Sequence, residues 1–217
     1  LYLILTLAKR GSTFDRAMRE GDWESRNRLQ GSEIFGKNLL LVGYGRIGRE
    51  VAKRALAFGM RIHVFDPYVD SEQVIQAGAI YVNDLGASLS ETDFLSLHLP
   101  FTLQNRHIIG ASEIKTLPTT AYVINTARGG LIDEDELLKA LDAGTLAGAG
   151  LDCFEQEPPQ RKMELLRPDK VVLSPHNASL TAECTRRLGL VCVENVVDAL
   201  TGRLQKDRVV NWEAVYS

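Results

Sequence analysis

From residue 36 onward the chain alternates short apolar runs with stretches where apolar residues recur every three or four positions. The runs stand at 39–43, 61–65, 79–82, 93–98, 120–125, 147–151 and 170–173. Short apolar runs bounded by turn residues suit strands covered on both faces. Between the first two, Val51, Ala52, Ala55 and Leu56 predict a helix over 46–58. A second is predicted over 133–143, where Asp133, Glu134, Asp135 and Glu136 load acid onto the first turn and Gly144 follows the end. A last long helix is predicted over 179–201 from Leu188, Leu190, Val193, Val196, Val197 and Leu200. Such alternation predicts an α/β fold, a doubly wound parallel sheet with its active residues at the carboxyl ends of the strands.

Residues 11–32 break the pattern. Phe14, Met18 and Trp23 are scattered among charges with no full apolar face. Two readings stay open there: a solvated connector, or an arm that packs on a second subunit, since exposed aromatics need cover. Leu1 to Leu7 is too short to span a bilayer, and Lys9 and Arg10 follow it rather than precede it, the wrong order for a signal peptide. The start at Leu1 reads as mid-helix, so a preceding segment is expected to be missing. The tail from Arg203 has no core of its own.

Composition narrows the class without choosing a function. With 217 residues, 45% hydrophobic and 24% charged, the chain is long enough for a substantial core. A formal charge of −3 gives no general reason to bind nucleic acid or an anionic membrane. Cys153, Cys184 and Cys192 are odd in number and lack CxxC spacing. They predict a reducing, cytoplasmic setting, no disulfide frame and no metal site.

The first strand runs directly into Gly43-Tyr44-Gly45-Arg46-Ile47-Gly48, and the second ends at Asp66. Each part suits a dinucleotide in a Rossmann-type fold. Gly43 permits the tight turn, Gly45 lets a pyrophosphate approach the backbone, and Gly48 lets the helix pack on the strand. The helix N-terminus offers N–H groups and partial positive charge to phosphates. Asp66, roughly 20 residues on, would accept from the adenosine ribose and repel a 2′-phosphate. NAD over NADP is therefore expected. The bland alternative is an ordinary strand-to-helix turn with no ligand.

Three later strand ends carry candidate chemistry. Arg128 stands among small residues in Asn125-Thr126-Ala127-Arg128-Gly129-Gly130. It is either a surface cation or a planar fork for a substrate carboxylate. Asp152, Glu155 and Glu157 follow another strand, and His176 stands in Ser174-Pro175-His176-Asn177-Ala178-Ser179. A lone histidine is more often structural. One paired with a carboxylate becomes a general acid/base, because the pairing fixes its tautomer. Glu157 and His176 are far apart in the chain, so only the fold can bring them together.

The motifs GYGRIG, HLP at 98–100, NTARGG at 125–130, LDCFEQEPP at 151–159 and SPHNAS at 174–179 together resemble the D-isomer-specific 2-hydroxyacid dehydrogenases, in order and spacing. The resemblance implies an NAD-dependent oxidoreductase that interconverts a 2-oxo acid and a D-2-hydroxy acid. It implies Arg128, Glu157 and His176 as the catalytic set: His176 moves the hydroxyl proton, Glu157 orients it, and Arg128 holds the substrate carboxylate and carbonyl. For the cofactor it implies Arg46 and Ile47 at the pyrophosphate, Asp66 at the ribose and Leu99 bordering the adenosine. Thr126, Ala127 and Asp152 would surround the nicotinamide, together with Arg128 and His176, and Ala178 would add backbone. His98 and Cys153 read as structural. A homodimer through residues 11–32 is implied as well.

Two departures stand out. Asn177 replaces the apolar residue or threonine usual after the histidine. Members of the family also carry a substrate-binding domain, of which only residues 181–217, a returning helix and tail, are expected here beside a cofactor domain over 1–180. By itself the chain is thus expected to bind NAD and turn over poorly. Phosphoglycerate-dehydrogenase-like and glyoxylate/hydroxypyruvate-reductase-like chemistry both stay open. A rival outside catalysis is an NAD(H)-sensing co-regulator built on the same domain. Another is a different nucleotide-binding enzyme, against which the order Arg128, Glu157, His176 argues.

Overall fold

The computed structural model describes residues 1–159 and 170–213. They divide into two compact units, Leu1–His176 and Asn177–Ser217. In the first, helices α1 (Tyr2–Ala8), α2 (Gly11–Arg19) and α3 (Ser25–Arg28) precede the sheet. Then follow β1 (Asn38–Val42), α4 (Arg46–Ala57), β2 (Arg61–Phe65), α5 (Ser71–Gln76), β3 (Ile80–Tyr81), α6 (Leu85–Leu89) and β4 (Phe94–Leu97). After them come α7 (Ala111–Thr116), β5 (Tyr122–Asn125), α8 (Glu134–Ala143), β6 (Gly148–Leu151) and β7 (Val171–Leu173). The second unit holds α9 (Ala182–Leu200).

All seven apolar runs form strands of one sheet, in the order β3-β2-β1-β4-β5-β6-β7. Each neighbouring pair is parallel. The sheet is built outward in two directions: the chain runs from β1 to β3 on one side, then returns to lay β4 against β1. In that central pairing Leu39 faces Phe94 and Val42 faces Leu97. The strands are apolar without interruption because both faces are covered. Leu39 and Leu41 point into one core with Ile62, Val64 and Ile124. Leu40 and Val42 point into the other with Leu95, Leu97 and Val123, as the period of two requires.

Helix signals placed α4 and α8 closely. Asp133 caps α8 by accepting from Glu136 N at 3.1 Å, and Gly144 closes it at φ 70°. Residues 11–32 form the two short helices α2 and α3 in place of a bare connector. Trp23 stays 57% exposed, with the Arg26 guanidinium over its ring at 5.2 Å. β3 is shorter than the run 79–82, because only His63↔Ile80 and Val64↔Tyr81 pair.

In the second unit Thr181 caps α9 by accepting from Cys184 N at 3.1 Å. Behind the helix, Arg203 and Arg208 reach back to Asp198 at 3.7 and 3.6 Å. The expected tail thus folds onto α9 by charge. Residues 214–217 of that tail lie outside the described residues. Among the described residues no helix is long and apolar enough to cross a membrane.

Leu95 is fully buried in the central strand β4. Its replacement by alanine is expected to cost about 2–5 kcal/mol in urea unfolding; a loss under about 1 kcal/mol would contradict this packing.

Candidate functional site

The turn after β1 lies at the central strand pair. Gly43 has φ 98°, and a Cβ there would stand 2.6 Å from His98 O, so only glycine lets the two strand ends meet. Gly48, in the first turn of α4, has its Cα against the same turn: a Cβ would meet Gly43 O at 2.4 Å. Gly45 is different, since nothing among the described residues comes within 4 Å of a Cβ placed on it. It is also the N-cap of α4 and supplies no side-chain cap. The first N–H groups of a twelve-residue helix therefore face open space beside Arg46 and Ile47, both exposed.

Asp66, at the end of β2, closes the other side. One carboxylate oxygen accepts from Tyr44 N at 2.7 Å and the other from Tyr68 N at 2.9 Å. Each oxygen keeps acceptor capacity toward a ligand. A cleft of about 400 Å³ opens here, walled by Gly43, Gly45, Asp66, His98 and Leu99 among others. His98 shares a hydrogen bond with Ser96 Oγ at 2.9 Å, and burial pushes its pKa down to about 4. It stays neutral at physiological pH.

At the end of β5 the buried Asn125 shapes the next loop. Its side-chain oxygen accepts from Ala127 N at 3.0 Å, and its amide nitrogen donates to Arg128 O at 2.8 Å. Thr126 and Ala127 are thereby fixed, and Arg128 projects outward, with Nη1 donating to Ala127 O at 2.6 Å. Gly129 is obligatory, because a Cβ would fall 1.8 Å from Phe154 O. The β5 and β6 loops are pressed together at that point.

Beyond β6, the buried Asp152 takes a hydrogen bond from the Ser174 hydroxyl, and its own N–H donates to Asn125 O at 2.9 Å. Cys153 is buried beside it. Burial, followed by the charge of Glu157, pushes its thiol up to about 12. That thiol is no nucleophile.

Glu157 meets His176 across the gap between the β6 and β7 loops. Its Oε2 lies 2.8 Å from His176 Nδ1, and its Oε1 accepts from Phe154 N at 3.0 Å. An ionised carboxylate only accepts, so in this pairing Nδ1 carries the proton and Nε2 is the nitrogen left to accept one. The His176 hydrogen bond, then the Phe154 N–H and the Arg128 charge, hold the Glu157 carboxyl below its ordinary range. His176 itself has φ 50°, a left-handed backbone uncommon outside glycine and held by its surroundings. A second cleft of about 410 Å³ adjoins the pair, walled by Phe154, Pro158, Pro159 and Leu173.

Residues 1–178 match the family described as D-isomer specific 2-hydroxyacid dehydrogenase, NAD binding domain. The chain belongs to this family. It is 40% identical over 209 residues to a D-3-phosphoglycerate dehydrogenase of Methanocaldococcus jannaschii, covering 96% of this chain and 39% of that protein. It is 42% identical over 200 residues to a hydroxypyruvate reductase of Thermotoga maritima, covering 91% and 64%. Among solved structures it resembles a D-lactate dehydrogenase from Aquifex aeolicus complexed with NAD and lactic acid. That likeness has a TM-score of 0.84 and 31% identity, over 93% of this chain and 65% of that one. The chain thus spans between 39% and 65% of these relatives' own lengths.

For a member of this dehydrogenase family, the expected residues fall into two groups at one edge of the sheet. Gly43, Gly45, Arg46, Ile47, Gly48, Asp66 and Leu99 gather at the β1/β4 end. Thr126, Ala127, Arg128, Asp152, Glu157 and His176 gather at the β5, β6 and β7 ends. Ala178 belongs to the second unit, in the turn where Leu180 N donates to Asn177 O at 2.9 Å. Sequence reasoning missed the shaping role of Asn125 and the close approach at Gly129, although both stood inside a quoted motif. Nor did it foresee that each Asp66 oxygen also accepts one backbone N–H. A carboxylate near a turn offers no hint of which N–H it will take.

Because Glu157 has its folded-state pKa lowered, its ionised form adds stability above the unfolded pKa, and that stability is lost as pH falls through the folded one. An NMR titration is expected to place Glu157 below the ordinary glutamate range in the parent. It should rise toward that range in His176→Ala. An unmoved value would show that the imidazole is not its main partner.

Proposed function

We propose that this chain is the cofactor-binding part of an NAD-dependent oxidoreductase that interconverts a 2-oxo acid and a D-2-hydroxy acid. What carries the reading is the 2.8 Å contact between Glu157 and His176 beside Arg128, at the carboxyl edge where parallel sheets bind ligands. The residues fit a dinucleotide: Gly45 leaves space, α4 starts uncapped, and Asp66 stands ready at the cleft. Arg46 and Ile47 would hold the pyrophosphate, Asp66 the ribose and Leu99 the adenosine side. Thr126, Ala127 and Asp152 would flank the nicotinamide. When bound, that ring supplies the hydride acceptor in one direction and the donor in the other.

His176 does the proton chemistry. With Nδ1 committed to Glu157, Nε2 takes the proton of the substrate hydroxyl and returns it to the carbonyl oxygen in reverse. Glu157 fixes the tautomer and offsets the positive charge that builds on the ring. Arg128 swings from its own loop to grip the substrate carboxylate and polarise the adjacent carbonyl. The protein in its full natural length, offered NADH with glyoxylate, hydroxypyruvate or phosphohydroxypyruvate, is expected to reduce at least one. His176→Ala should lose roughly 10²–10⁴ in turnover while NADH affinity stays within a few-fold. Undiminished turnover would refute the role of His176. NADH binding with no turnover in the parent would favour an NAD(H)-sensing co-regulator.

Asp66→Ala tests the ribose contact separately. The preference for NAD over NADP is expected to fall at least about tenfold, the size of one lost charge-assisted contact. An unchanged preference would remove Asp66 from the ribose site.

A further inference from the structure

One cluster beside the site is used by none of this chemistry. The His107 imidazole stands between two carboxylates, Nε2 at 2.8 Å from Glu155 Oε1 and Nδ1 at 3.3 Å from Asp133 Oδ2. The three side chains are 29%, 31% and 27% exposed, so solvent screens them only in part. They come from three segments that are remote in the chain. His107 precedes α7, and its N–H donates to Gly130 O at 2.8 Å, which ties it to the loop leading into α8. Asp133 caps α8. Glu155 lies on the loop that follows β6.

That loop also carries Glu157, and its other attachments converge on the same few residues. Glu155 N donates to Glu134 Oε1 at 2.7 Å. Phe154 N donates to Glu157 Oε1 at 3.0 Å, and Phe154 O presses on Gly129. His107 grips the Glu155 side chain, on the residue two before Glu157. Its own backbone is held at φ 52°, in the left-handed region, a conformation that persists only where the surroundings fix it.

We infer that His107 is a positioning residue: by gripping Glu155 it holds the loop after β6 so that the Glu157 carboxylate meets His176 Nδ1. Where catalysis is concerned, this rests on the reading of Glu157 and His176 as the acid/base pair. The geometric part stands without it. Asp133 Oδ2 lies 3.3 Å from the opposite nitrogen, and the contact with Glu155 is the one that reaches the site.

Three substitutions separate these contacts. In His107→Gln the amide nitrogen occupies the place of Nε2 and still donates to Glu155. In His107→Asn it occupies the place of Nδ1 and faces only Asp133. In His107→Ala both contacts are lost. Asparagine tolerates a left-handed backbone better than glutamine or alanine, so relief of strain alone would rank asparagine first.

The readout is the nitrogen-15 signature of the His176 ring in the full chain, which reports whether Nδ1 carries the proton. The parent and His107→Gln are expected to show the Nδ1–H form, and the asparagine and alanine variants a mixture. In the catalytically active full-length protein, the same two variants should lose roughly 10- to 100-fold in kcat with the KM for NADH unchanged, and glutamine should restore most of it. Glu155→Ala leaves the left-handed residue intact and should reproduce the alanine result. Combined with His107→Ala it should add nothing further.

A His176 signature unmoved by His107→Ala and Glu155→Ala overturns the inference. So does asparagine rescuing better than glutamine, or additive losses in the double variant. A protein with no turnover whose His176 signature still follows His107 would sink the catalytic reading and leave this one standing.

Discussion

The parallel pairing of β1 with β4 is the constraint on which the other arrangements depend. Leu39 to Val42 lie against Phe94 to Leu97, and the chain leaves these two strands in opposite directions along the sheet. Their connecting loops therefore part at the carboxyl edge and leave a crevice between them. Gly43 shows how closely the two ends meet, since a single added carbon would strike the His98 carbonyl. The uncapped start of α4, the carboxylate of Asp66 and the cleft beside Leu99 follow from that one junction.

Farther along the same edge, buried polar groups shape the loops. Asn125 and Asp152 are each 2% exposed, a position that polar side chains occupy only when bonded. Asn125 folds the loop that presents Arg128, and Asp152 ties the β6 end to Ser174 in the segment that delivers His176. Carboxylates are dense here. Burial, opposed by the Glu155 N–H and reinforced by the charges of Glu155, Asp135 and Glu157, raises the pKa of Glu134. Among the described residues, imidazole and guanidinium groups lie against several of these carboxylates. His176 meets Glu157, His107 meets Glu155 and Asp133, and Arg128 faces Glu157.

The strands were legible because burial on both faces writes itself as uninterrupted apolar residues. Leu39, Leu40, Leu41 and Val42 needed no knowledge of their partners. The glycines of the first turn and Asp66 were legible for a similar reason: each answers a local geometric demand. His176 and Glu157 were recognisable as candidates through their motifs, but their contact spans 19 residues and is created by strand order. The His107–Glu155 contact spans 48 residues and left no local trace. Residues 11–32 stayed open between two readings because α2 and α3 bury little, only Ala17 and Ser25 among their residues. In α9, large apolar residues such as Leu188 and Val193 are 55% and 63% exposed. Helical periodicity located that element correctly without indicating what covers it.

The most direct test is a crystal structure of the protein in its full natural length with NADH and a non-reacting 2-oxo acid analogue. The expected result seats the pyrophosphate on the backbone of Gly45, Arg46 and Ile47, and the adenosine ribose on Asp66. The analogue's carbonyl oxygen should lie within about 3.2 Å of His176 Nε2 while Nδ1 keeps its bond to Glu157. A nucleotide bound away from the β1/β4 junction, or an imidazole turned from the analogue with Glu157 unpaired, would contradict it.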